Sequence, residues 1–496
     1  METRKRTHAI GHNFGKFCYV RKQQGHEPTT GSPLELAHIR TRVATFLDRN
    51  DALSCMRVSR DWFHDFAPSV WHTIDFSKDA NAFAAVAPDI LDKYGDLISQ
   101  VLNITTEAQL ESLQSTNVDS LRLLQAQGNI SCLYHQLLSD VIRRNTGSLQ
   151  SIAIHIRPPC PDILTEQWKH DYYFLNATDA ISSFYSLSKR EASAGQGRTL
   201  LTLDLSYISI SRESFSSLLQ RCPSLEELKL HQVLLCQHKP FLRLFIGSKL
   251  RYLVTSFGQV WNADPNDTSA PCLLAHFPLL KEWSVTSMDR SEDITSTVMS
   301  QDITQFCPLL KNIRFDQGDP ATATDLLSST FHGLESCTIS IQVLAASTIL
   351  GLVSHQDSLT SVSVTSAPTT VDGAISARNT VMKEWLYMIP RMCRRLKVLD
   401  LGPFVCDMDQ VGNRKWVCDG LQELRVRING LNAPDNIEGC LQQVYASRWT
   451  ESPVLAQPVD NDAISARVGQ LLLHFKQLRT VCLGTKDYYL PPSNIQ

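Results

Sequence analysis

Twelve times along this chain a leucine, or a residue that packs like one, is followed three and five positions later by two more. The first triplets are Val118/Leu121/Leu123, Leu149/Ile152/Ile154, Leu200/Leu203/Leu205 and Leu225/Leu228/Leu230. Next come Leu250/Leu253/Thr255, Leu280/Trp283/Val285, Leu310/Ile313/Phe315 and Leu334/Cys337/Ile339. Leu359/Val362/Val364, Leu396/Leu399/Leu401, Leu421/Leu424/Val426 and Leu478/Val481/Leu483 close the series. From Leu200 to Leu359 the triplets follow one another at a near-constant step, and Leu396 to Leu421 is one more step of that size. A segment this short cannot bury its own apolar face, so successive segments must stack and share one elongated core. The intervals 149–200 and 421–478 are each close to two periods, so each is expected to hide one degenerate repeat.

The sequence before several triplets has helical periodicity. Phe215, Leu218, Leu219 and Cys222 fall at i, i+3, i+4 and i+7, and Val468, Leu471, Leu472 and Phe475 repeat that spacing. Ile303, Phe306, Cys307 and Leu310 keep a similar stripe. Pro223, Pro278 and Pro308 then stop each helix in the turn, where a missing N–H costs no ladder bond. A helix passing into a short strand once per step of this size is the signature of leucine-rich repeats. The expected fold class is an α/β solenoid, a horseshoe of parallel strands and helices over 101–490.

Fourteen cysteines raise the question of chemistry. Three residues before the first strand leucine stands Cys222, Cys307, Cys393 or Cys418, and elsewhere Phe277, Phe331 or Phe475. A ligand or nucleophile cannot be exchanged for phenylalanine, so this is an apolar packing slot. The pattern resembles the cysteine-containing class of leucine-rich repeats, including the turn Cys222-Pro223-Ser224-Leu225. Spread over 496 residues, the cysteines read as reduced thiols of a cytoplasmic or nuclear protein. The sequons at Asn103, Asn176 and Asn266 are then chance matches.

Ahead of the repeats, 32–76 has a different grammar. Ser32-Pro33-Leu34-Glu35 is a helix start, and Ile39, Val43, Phe46 and Leu47 give that helix one apolar face. Asn50-Asp51 offers a cap for a second helix carrying Leu53, Cys55, Met56 and Val58. Asp61 offers a cap for a third, with Trp62, Phe63 and Phe66, closed by Pro68. Trp71, Ile74 and Phe76 follow as an apolar tail. The ordered set Pro33-Leu34-Glu35, Phe46-Leu47, Asp51-Ala52-Leu53, Val58-Ser59-Arg60-Asp61-Trp62 and Val70-Trp71 resembles an F-box of the fungal type. It departs from that pattern in having Pro-Leu for Leu-Pro, and Ser59 for the usual Cys.

The resemblance implies a three-helix F-box at 32–76 that docks on the small Skp adaptor, and through it on a cullin. Pro33, Leu34, Leu47, Leu53, Val58 and Trp62 are the implied Skp contacts or supports, with Trp62 and Trp71 holding the module together. Residues 1–31, with Arg4-Lys5-Arg6 and three further cations, are expected as a disordered basic leader. A linking helix interrupted near Pro88 fills 77–100.

No catalytic constellation stands out: there is no phosphate-binding glycine loop, no G-x-S-x-G and no H-E-x-x-H. The closest cysteines, Cys406 and Cys418, are too far apart for a zinc knuckle. Cys132 and His135 have ligand-like spacing but no second pair. No metal or cofactor is implied. A formal net charge of −3 argues against a broad nucleic-acid or membrane surface, and no apolar run approaches the roughly 20 residues that span a bilayer.

What remains is recognition by the strand residues between the leucines, among them Glu227, Lys229, His231, Lys311, Asn312 and Glu423. Arg314, Arg425 and Arg427 are the candidate target contacts, since arginine is favoured at hot spots. The aromatic cluster Trp168, Tyr172, Tyr173 and Phe174 is either core or partner-facing. The expected function is the non-catalytic, target-recognising subunit of a Skp–cullin–F-box ubiquitin ligase. The alternative is a leucine-rich-repeat scaffold working without ubiquitination.

Overall fold

The computed structural model describes residues 34, 36–84, 86, 88–128, 132–145, 147–156, 200–236, 248–256, 273–286, 303–330, 333–365, 387–406, 416–428, 431, 437, 441, 444, 463–483 and 487–490. The leader, the aromatic cluster at 168–174, the loops 262–271, 287–300, 366–373 and 450–462, Phe331, Asn176 and Asn266 lie outside these residues. The chain forms two compact halves, Met1–Gln237 and His238–Gln496.

Three helices open the N-terminal half: α1 (Ala37–Ala44), α2 (Arg49–Cys55) and α3 (Arg60–Trp71). Their limits differ from those expected. Asp48 caps α2 by accepting the Asp51 amide at 2.8 Å, and Ser59 caps α3 by accepting the Trp62 amide at 3.2 Å. Asp51 and Asp61 instead lie in the first turns, where a negative charge still favours the helix dipole. Pro68 does not end α3. The helix runs on to Trp71 because Val70 and Trp71 are buried, and the His72 amide still reaches the Pro68 carbonyl at 2.8 Å. Ser32, Pro33 and Glu35 lie outside the described residues, and α1 starts after Leu36 without a side-chain cap.

The chain then enters a sheet at once. After β1 (Thr73–Asp75) come α4 (Phe76–Ala84), α5 (Pro88–Tyr94), β2 (Gln100–Ile104), α6 (Glu107–Gln114), β3 (Leu123–Gly128) and α7 (Cys132–Arg144). β4 (Ser151–Ile156), β5 (Thr202–Ser206), β6 (Ser209–Ser211), β7 (Glu227–His231) and β8 (Leu234–Cys236) follow. Strands β1, β2, β3, β4, β5 and β7 pair in that order, all parallel, and β6 with β8 makes a separate parallel pair. The helical break falls before Pro88, as expected.

The apolar tail of the three-helix segment is therefore a repeat in its own right. Ile74 pairs with Val101, and Trp71, Ile74 and Phe76 are buried at the same three-and-five spacing as the later triplets. Ile98, Val101 and Ile104 come next, the last displaced by a bulge at Asn103, whose φ is 57°. The triplet expected at Val118/Leu121/Leu123 is shifted by three. Leu124 pairs with Ile152 and Ala126 with Ile154, so the buried set is Leu121/Leu124/Ala126 and Leu123 faces outward opposite Ser151.

The C-terminal half continues the plan with β9 (Tyr252–Thr255), β10 (Glu282–Val285), β11 (Asn312–Phe315), β12 (Ser336–Ser340), β13 (Ser361–Thr365), β14 (Val398–Cys406), β15 (Glu423–Ile428) and β16 (Thr480–Leu483). These pair in sequence and in parallel, and a short antiparallel strand, β17 (Asp487–Tyr489), closes the series on β16. The mostly parallel sheets with helices agree with a solenoid-like α/β fold. Among the described residues, no strand of either long interval enters the sheet, because β4 pairs directly with β5 and β15 directly with β16. The extra chain is inserted between adjacent strands.

The helical half of the repeat varies more than its periodicity implies. Arg212–Arg221 and Ala463–His474 are proper helices, whereas Leu273–His276 and Ile303–Phe306 are single turns. What stays constant is the turn into the strand. The amide of Leu225, Leu280, Leu310, Leu396, Leu421 and Leu478 each bonds the carbonyl three residues back, on Cys222, Phe277, Cys307, Cys393, Cys418 and Phe475. All six slot residues are buried. Burial pushes the thiols of Cys393 and Cys418 up to about 12, which is the behaviour of inert packing groups. A Thr255 in a leucine position is tolerated because its hydroxyl accepts the Trp283 indole N–H at 3.0 Å.

A candidate docking module and the strand faces

The three helices are joined by a buried ion pair where an all-apolar core is the usual expectation. Arg40, on the inner side of α1, sends Nε to Asp65 Oδ2 of α3 at 2.5 Å, and its Nη1 donates to the Leu34 carbonyl at 3.0 Å. One guanidinium thus fixes both the helix crossing and the segment entering α1. Trp62 stacks on Phe66 with ring centroids 5.3 Å apart, and Trp71 stacks on Tyr94 of α5 at 5.9 Å. Arg49 Nη1 lies 2.6 Å from Asp79 Oδ2 of α4. Trp71 is buried and Trp62 half-buried.

Among the described residues of this segment, four large apolar side chains are left in water, beside or between the helices. Leu34 and Leu36 precede α1, Phe46 lies in the turn after it, and Val58 in the turn before α3. The helical stripe predicts a buried Phe46; α1 ends at Ala44, so Phe46 leaves the stripe and is 75% exposed. Val58 is 62% exposed. Of the sequence-derived contacts, Leu34 and Val58 are exposed, Leu47, Leu53 and Trp62 are half-buried, and Pro33 lies outside the described residues. Leu36 gives no signal in the sequence, since its place falls inside the expected helix.

Side chains of the sheet form a bonded ladder where the module meets the repeats. Asn103 Nδ2 donates to Asp75 Oδ1 at 2.8 Å, and Gln127 Nε2 donates to Asn103 Oδ1 at 2.9 Å. Burial alone would raise the Asp75 carboxyl; bonds from Ser77 and Asn103 and the charge of Lys78 outweigh it and hold the carboxyl below its ordinary value.

Further along, Ser206 Oγ lies 3.3 Å from His155 Nδ1, and His155 Nε2 lies 3.6 Å from Asp204 Oδ2. Sequence spacing misses this trio because His155 and Ser206 stand on strands separated by a long insertion. The order resembles that of a hydrolytic triad, but Ser206 is only 3% exposed, leaving its oxygen no approach for a substrate carbonyl. The trio bonds adjacent strands together.

The three candidate arginines separate. Arg314 and Arg425 occupy one register row, with Thr338, Ser363 and Asp400 between them, while Arg427 lies beyond the irregularity of β14 opposite Val405. Arg314 Nε bonds Asp316 Oδ1 at 2.6 Å, and Arg425 Nη2 bonds Asp487 Oδ2 at 3.2 Å. Every outward position between those two arginines on β12 and β13 is Ser or Thr. The face between them is therefore hydroxyl-rich, and Arg314 and Arg425 are each paired with a carboxylate.

No family model matches the chain, and no curated protein matches it either. Among the described residues, no group of His, Cys, Asp or Glu is placed to hold a metal ion, and no helix is long and apolar enough to cross a membrane.

Proposed function

We propose that this chain is the target-recognising subunit of a Skp–cullin–F-box ubiquitin ligase, with the three-helix module docking on Skp and the repeats binding a protein target. The observation that supports it best is that the ordered F-box-like residues fold as three short helices whose connections leave Leu34, Phe46 and Val58 in water. Exposed apolar side chains on one small module are what a partner surface would cover. On this reading the chain makes and breaks no bonds. It raises the effective concentration of a target lysine near a charged conjugating enzyme, as a tether does.

Because α3 runs into β1 without a linker, such a tether would be short and stiff where the module meets the sheet. Recovery of the tagged chain with both Skp and a cullin is the expected result. Skp alone, or neither, would favour the scaffold reading. Val58→Asp is the sharper probe: it is expected to abolish Skp capture while leaving the fold intact, and undiminished capture would remove the proposed dock.

A further inference from the structure

The backbone bonds of the C-terminal half bring together cations that the sequence keeps a whole repeat or more apart. Just before each strand, one residue accepts amides from the next repeat through its carbonyl. The Lys281 amide bonds Arg251 O, that of Lys311 bonds Lys281 O, and that of Glu335 bonds Lys311 O. The same contact then links Thr360 to Glu335 and Lys397 to Thr360. It ends by linking Gln422 to Lys397 and Arg479 to Gln422. These eight residues form one unbroken row along the rim where β9 to β16 begin.

Five of the eight are lysine or arginine and one is acidic, and all five cations are exposed. Lys249, Arg394, Arg395 and Lys476, in the turns feeding the same strands, are exposed as well. Glu335 pairs with Lys311, and Asp357 and Asp419 are the acids in those turns. The equivalent row of the N-terminal half, bonded in the same way, is His72, Ser99, Arg122, Gln150, Leu201 and Glu226, with one cation balanced by one acid. The basic row is thus not a requirement of the repeat. It belongs to one half of a chain whose formal net charge is −3.

Apolar side chains stand among these cations. Leu279 and Leu309, at the same place in adjacent repeats, are each 42% exposed, and so is Met392 beside Arg394. We propose that this rim is a docking surface for an acidic, extended protein segment that carries apolar anchor residues. Seven strand spacings of about 4.8 Å give a row of roughly 34 Å, the reach of about ten extended residues. Exposed leucines favour a peptide over a nucleic acid, and the row holds no aromatic side chain on which bases would stack. The inference stands whether or not the three-helix module docks on Skp.

The test is fluorescence anisotropy of the full chain with a labelled Glu-rich peptide of about ten residues containing two leucines. A single-stranded oligonucleotide of matched charge and phosphatidylserine vesicles are run beside it. Saturable peptide binding that weakens with salt is expected, along with a loss of about tenfold or more in Lys281→Glu/Lys311→Glu. Leu279→Ser/Leu309→Ser is expected to weaken binding severalfold, and Arg122→Glu in the other half to leave it unchanged. Circular dichroism checks each variant, and Lys281→Gln/Lys311→Gln replaces the charge reversal if that one unfolds. Peptide binding that is absent, insensitive to these substitutions, or weaker than that of the oligonucleotide or the vesicles would overturn the proposal.

Discussion

Gly402 has a φ of 56°, and its amide donates to Asp400 Oδ1 at 2.8 Å. A Cβ at this position would overlap the Val364 carbonyl on the neighbouring strand. Gly402→Ala therefore meets both a left-handed backbone and a clash, and is expected to cost roughly 2–4 kcal/mol, read as a fall in thermal midpoint. Asn145 is a buried polar residue that the fold completes: its Oδ1 accepts the Leu121 amide at 2.8 Å and its Nδ2 donates to the Val118 and Val141 carbonyls. Asn145→Ala strands those groups and is expected to cost about 2–3 kcal/mol in denaturant unfolding. His276 is buried, and burial lowers its pKa from 6.5 to about 4. The unfolded chain takes up this proton near pH 6.5 and the folded chain only near pH 4. His276 thus contributes stability in full above pH 6.5, and loses it as the pH falls through 4. The loss is on the order of 3 kcal/mol. A His276→Gln variant should flatten the acid limb of a stability–pH curve, and an unchanged limb would assign acid sensitivity to other groups.

At the scale of the element, α1 and α3 are joined by one ion pair as well as by their apolar stripes. Arg40 and Asp65 side chains are 8% and 19% exposed, so removing the carboxylate takes a short ion pair away from a buried cation. Asp65→Ala is expected to destabilise the three helices by roughly 3 kcal/mol, whereas Val58→Asp, at an exposed turn, should change stability by less than about 0.5 kcal/mol. Hydrogen exchange on α1 to α3 separates these outcomes: equal protection in wild type and Asp65→Ala would show that the pair does not hold the crossing. The same elements show what local sequence reveals. Trp62, Phe66 and Trp71 advertise a helix with a packed side, and the structure agrees. Arg40 does not advertise burial, because an arginine is buried only when a carboxylate arrives from another helix.

For the whole molecule, the cysteine slots report on cooperativity. Cys307, Cys393 and Cys418 are buried in one half, each beneath the turn of a different repeat. Stacked repeats are coupled to their neighbours, so these thiols are expected to resist alkylation in the native state and to become reactive together as denaturant rises. Mass spectrometry of labelled peptides checks this, and three separate labelling midpoints would mean that the repeats open one at a time. The half-buried Cys55 and Cys482 should label earlier.

The sequence by itself determined the repeat, its buried triplets, the packing role of the cysteines and the presence of three helices before the sheet. These are local, periodic properties, and a period survives the misplacement of one member. Tertiary structure decided where the first repeat lies, because Trp71, Ile74 and Phe76 become a repeat only when β1 pairs with β2. It also decided that the long intervals hold insertions, since only strand pairing reveals that β4 touches β5 and β15 touches β16. The basic rim belongs to the same class: cations a whole repeat apart carry no signal along the chain. They become neighbours when parallel strands bring every turn to one edge, at a spacing where charges act on the same partner.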